Sequence, residues 1–153
     1  EHTGIDHHTL AHGKVQLLAP HGWLSPKKKY IALHDLAGQS MIGLLEPDPL
    51  SRLLDSKLQA VHPVPVINIQ VQSYQMVRSM VEAGEGLALV DPFTAVGAKK
   101  SGLDVCPLSP AIAVSLYALT PKGTVISPAL SALLDITRQK AESLLADQGL
   151  VTL

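Results

Sequence analysis

The sequence predicts an α/β fold with a mainly parallel sheet flanked by helices. Two observations carry that expectation: strand-like and helix-like stretches alternate along the chain, and one stretch reads as a complete strand–helix–strand unit. That unit is INIQVQSYQMVRSMVEAGEGLALVDP, residues 67–92. Ile67, Ile69 and Val71 alternate with Asn68, Gln70 and Gln72, the period of a strand with one buried face. Met76, Val77, Met80 and Val81 then recur at helical spacing. Ser73 stands at the N-cap position and Gly84 just past the stripe, where a left-handed residue ends a helix at little cost. Residues 87–90 form a short continuous apolar run, as a strand covered on both faces should.

The remaining elements follow in order. Residues 1–13 are polar, with His2, His7, His8 and His12, and read as an irregular lead-in. KVQLLA (14–19) reads as a strand stopped by Pro20, and residues 21–30, with Gly22, Pro26 and Lys27 to Lys29, as a solvated loop. DLAG, within 31–38, is a turn of helix, and 40–45 a second strand. Asp48 caps a helix with Pro49 at its first position, and Leu50, Leu53, Leu54, Leu58 and Val61 continue it up to Pro63. Residues 93–100 read as a short helix ended near Gly102, and 104–108 and 111–119 as strands. Ser127 and Pro128 open a last helix with Leu130, Leu133, Leu134, Thr137, Ala141, Leu144 and Leu145 on one face; residues 147–153 should fray. Parallel strands at 40–45, 66–72 and 87–91 joined by right-handed crossovers would end on one edge, where small molecules bind in such sheets.

Composition narrows the function. With 12 Lys+Arg against 13 Asp+Glu, no overall field favours nucleic acid or an anionic membrane. Aromatic residues at 3% give few stacking platforms for single strands. Cys106 is the one cysteine, so no internal disulfide forms, which fits a reducing, cytoplasmic setting. No apolar run approaches membrane-spanning length, no signal-peptide pattern opens the chain, and a start at Glu1 reads as part of something longer.

Three segments, in this order, carry a family likeness: KVQLLAP with ALHDLAGQSMIGL, then QSYQMVRSMVEAGEGLALVDP, then SGLDVCPLSPAIAVSLYALT. Together they resemble the effector-binding region of LysR-type transcriptional regulators, over residues 10 to about 145. The wording VEAGEGLALVDPFTA is most similar to the subgroup that senses amino acids and opines. The resemblance implies a lobe like those of type-2 periplasmic binding proteins. Residues 1–13 would end the first lobe and lead into the crossover. Residues 14–108 would form the effector-binding second lobe, and 109–153 the return crossing strand and C-terminal helix. It further implies a small-molecule effector (an amino acid, opine or other carboxylate), a homodimer or homotetramer, and no catalysis. DNA would be bound only through a winged helix-turn-helix outside these residues. The alternative with the same lobes is a periplasmic-type solute-binding protein of a transporter.

The resemblance places effector contacts at Gln72 and Ser73, and the physics agrees: free N–H groups at a helix start suit an anion. Ser73 can cap its own helix and still meet a ligand. Glu46 and Asp91 end the flanking strands and could accept from an amino or guanidinium group, although Asp91 also fits a cap for the turn at Pro92. Phe93 and Thr94 are candidates for the same mouth, and Ser40 for an approach from the neighbouring strand. Phe93 equally suits the core. No cofactor or metal is expected: Asp6, His7, His8 and His12 lie close, but Gly4 and Gly13 argue against the helix that an i, i+4 zinc pair needs. No G-x-S-x-G elbow exists, and Cys106 in VCPL reads as a buried, inert thiol.

Overall fold

A computed structural model describes residues 4–147 and 149–150. Its centre is a sheet of five strands. Strand β2 (Gln16–Ala19) lies between β5 (Ala88–Val90) and β6 (Asp104–Pro107), antiparallel to both. Strands β3 (Ser40–Leu44) and β4 (Val66–Val71) pair in parallel. A parallel bridge at Met41 and Leu87 joins β3 to β5, through Ile42 N–H to Leu87 O at 2.8 Å and Leu87 N–H to Ser40 O at 3.0 Å. The spatial order is therefore β4-β3-β5-β2-β6, with β2 alone reversed. The sheet is mixed, which corrects the expected mainly parallel arrangement: β2 enters between two strands that both run the other way.

Both faces of the sheet are covered, as strict alternation along β2 and β5 requires. Leu17, Leu87, Leu89 and Met41 face helix α1 (Pro49–Leu58) through Leu54 and Leu58. Leu18, Ala88, Val90 and Ile42 face helix α2 (Tyr74–Glu82) through Val77 and Val81. The α1 and α2 caps follow the sequence: Asp48 accepts from Ser51 N–H at 2.7 Å, and Ser73 from Met76 N–H at 3.3 Å. Gly84 ends the second helix with φ 84°. Each fully buried leucine in these layers contributes about 1.5–3 kcal/mol relative to exposure.

The lead-in expected to be irregular is a ten-residue strand, β1 (Ile5–Lys14). It pairs antiparallel with β7 (Ala113–Pro121), with a register shift between Thr9 and Ala11. Its strand character comes from pairing rather than from an apolar face. His8 Nε2 meets Thr120 Oγ1 at 2.9 Å, His12 Nδ1 meets Ser115 Oγ at 2.9 Å, and His7 stands edge-on to Tyr117. Helix α3 (Pro128–Ala146), capped by Ser127, leans on β1, where Arg138 Nε donates to Thr9 O at 3.4 Å. The helix expected over 93–100 is a run of turns ending in one 3-10 turn, Lys99–Ser101. Gly97 at φ 74° interrupts it, and Arg78 of α2 holds it from outside by donating to Val96 O at 2.9 Å. Of the tail expected to fray, Gln148 and residues 151–153 lie outside the described residues.

Candidate functional site

Because β3, β4 and β5 run the same way, their carboxyl ends open on one rim. Leu45 N–H donates to Val71 O at 2.8 Å and closes the first two ends together. Leu45, Glu46 and Gln72 line a cavity of about 180 Å³ there, with Glu46 and Gln72 exposed. Ser73 follows at once, its hydroxyl turned to its own helix start. Asp91 ends β5 on the same rim. Its Oδ1 accepts from Phe93 N–H at 2.8 Å and Thr94 N–H at 3.0 Å, and its Oδ2 accepts from the Thr94 hydroxyl. Asp91 thus shapes the turn that carries Phe93 and Thr94, both half-buried, and Phe93 packs on the α2-side core. Ser40 is not brought to this rim. It starts β3, at the opposite end from Leu45, and its Oγ accepts from Asn68 Nδ2 at 2.7 Å.

Two further residues belong to the rim. Tyr74 opens α2 and its hydroxyl donates to Asp48 Oδ1 at 3.3 Å, the same oxygen that caps α1. The two helix starts are thereby tied together. Burial first, and then the charge of Asp48, push the Tyr74 hydroxyl far above its ordinary range, so it stays a neutral donor. The signal was in the sequence, since Tyr74 follows the cap directly, but nothing there showed that Asp48 lies across from it. The rim therefore carries three carboxylates, Glu46, Asp48 and Asp91, beside two helix N-termini that favour negative charge.

The rim is also anchored to the crossing strands. Pro92 is buried against Gly13 at the end of β1, so closely that a Cβ on Gly13 would stand 2.6 Å from Pro92 Cγ. Gln16 begins β2 opposite Val90, fully buried, with Nε2 donating to Lys14 O at 3.0 Å. Among the described residues, no group of three or more His, Cys, Asp or Glu side chains could hold a metal ion.

Residues 1–142 match the family model of the LysR substrate binding domain. The chain belongs to that family. A curated relative, the HTH-type transcriptional regulator DgcR from Pseudoalteromonas sp, is 28% identical over 105 residues, which cover 69% of this chain and 36% of DgcR. This LysR domain thus spans about a third of that relative's length. Among solved structures, the regulatory domain of Synechocystis PCC6803 CcmR, in complex with 2-PG, superposes with a TM-score of 0.74 at 15% identity, over 92% of this chain and 68% of that one. HinK, a LysR family transcriptional regulator from Pseudomonas aeruginosa, gives 0.72 at 21% identity, over 92% and 50%. At these identities the superpositions bear on the fold, a LysR-type lobe like those of periplasmic binding proteins.

Proposed function

We propose that this LysR substrate-binding domain forms the second lobe of an effector sensor in a DNA-binding transcriptional regulator. Its effector is amino-acid-like: a carboxylate end meets the α2 start at Gln72 and Ser73, and an amino or guanidinium end meets Glu46. The observation that supports this most directly is the pairing on one rim of a helix N-terminus with the exposed carboxylate of Glu46, which complements a zwitterion rather than a simple anion. Asp91 contributes by holding Phe93 and Thr94 at the mouth. The effector bridges this lobe and a facing one and shifts the population of interlobe arrangements. A homodimer or homotetramer passes the shift to winged helix-turn-helix heads, which alone touch DNA. The domain performs no catalysis.

The test is calorimetric titration of a two-lobed protein with basic amino acids, opines and aromatic acids. Gln72→Ala should weaken every bound carboxylate, whereas Glu46→Gln should weaken only those with a cationic end, by roughly tenfold or more. Binding unaffected by both substitutions would remove the rim from the reading. The 153-residue chain alone should bind more weakly than micromolar, since one wall of the cleft encloses too little of a ligand.

A further inference from the structure

The end of the sheet opposite the rim carries a different surface. Strand β2 runs against β5, so its last residue, Ala19, and its partner Asp104, at the start of β6, lie on the far edge. The loop after β2 and the turns before β6 meet there around a groove of about 470 Å³. Leu24, Leu103 and Val105 supply apolar lining, and Lys28 and Lys99 line it from the two segments.

Lys28 and Lys99 line the groove, and Lys27, Lys29 and Lys100 are their chain neighbours, so five of the chain's 12 lysines and arginines lie on the two segments that border it. Two carboxylates oppose them, and both are engaged by the loop itself. Asp104 Oδ2 accepts from Leu24 N–H at 2.8 Å, and Asp35 Oδ2 accepts from Ala32 N–H at 2.8 Å while pairing with Lys28 Nζ at 2.9 Å. The loop is thus held in place, and Lys27, Lys29, Lys99 and Lys100 are exposed without an ion pair among the described residues. On a chain whose formal net charge is −1, this is a local concentration of positive charge. Trp23 and Tyr30 stand exposed on the same loop.

We infer that this lysine-edged groove is a docking surface for an acidic protein segment bearing an apolar anchor. Charge complementarity identifies the carboxylates, and the apolar floor identifies the anchor. A duplex backbone fits less well. It offers no apolar group for Leu24, Leu103 and Val105, and the groove's own cationic lining, Lys28 and Lys99, lacks the planar guanidinium fork that matches phosphate best. The surface is independent of the effector rim, so it would serve a partner contact whether or not effector is bound.

Trp23 is the chain's one tryptophan and therefore reports on this corner alone. The experiment is a fluorescence titration of the 153-residue chain with a soluble probe peptide of glutamates interrupted by leucines. The comparison probes are its glutamine-for-glutamate counterpart, a glutamate-only peptide and a short DNA duplex. The mixed peptide should bind saturably, weaken as salt rises, and weaken roughly tenfold on Lys99→Glu with Lys100→Glu. Lys140→Glu, on α3, should leave it unchanged. Either control peptide binding as tightly as the mixed one overturns the proposal, as does tighter binding of the duplex. So does the absence of a saturable Trp23 response with the far-ultraviolet spectrum unchanged.

Discussion

Asp55 sits on the inner side of α1, where it lines a cavity with Leu54, Leu58 and Ile67. Burial raises its pKa above the ordinary 3.8. The sign of the consequence is opposite to that of a paired carboxylate. The folded state prefers the protonated form, so the stabilisation is full below 3.8 and is lost as pH rises through the folded pKa. Asp55→Asn should therefore raise the urea midpoint at neutral pH, and the gain should vanish in acid; an equal gain at both pH values would contradict the burial account. Asp35 behaves conversely. The Ala32 N–H first, and then Lys28, hold its carboxyl below the usual range, so its contribution persists above 3.8 and fades only as pH falls below that value.

At the scale of elements, Gly13 shows why a residue without a side chain stands near the end of β1. Pro92 occupies the space a Cβ would need, and Leu150 O stands 3.3 Å away on another side. A proline ring yields little, so Gly13→Ala should cost about 1–3 kcal/mol, read from denaturant midpoints, with no change in helix content. An unchanged midpoint would show that the Pro92 turn moves freely. The elements with an internal signature were legible in the sequence. The caps Asp48, Ser73 and Ser127, the Gly84 stop and the buried Val77 and Val81 all stand where periodicity put them. The rim was legible too, because it follows from strand direction alone. What escaped the sequence depends on partners distant along the chain. β1 is a strand because Ala113–Pro121 returns beside it, the 93–101 segment is turns because Gly97 and Arg78 shape it, and Ser40 bonds Asn68 at the wrong end of β3. Tyr74 and Asp48 likewise become a pair only once the β3–α1–β4 crossover has been made.

For the whole molecule, burial separates what holds this domain together from what it presents outward. Leu145 is fully buried in the core cluster that also holds Leu18, Val77 and Val81, whereas Leu133 and Ile136 of the same helix are 60% and 65% exposed. Leu145→Ala should lower stability by about 2–5 kcal/mol, while Leu133→Glu should shift it by no more than about 0.5 kcal/mol. Thermal melts of the two variants check this, and a large loss at Leu133 would mean that its stripe is covered in the isolated chain. The single reversed strand has a mechanical meaning as well. β1 passes through Val15 directly into β2, and β2 is laddered on both sides, to β5 and to β6. Any tension in the two-stranded ribbon is therefore delivered to the middle of the sheet as shear across two ladders at once. A border strand would peel away one bond at a time; this connection lets the block tilt as a unit.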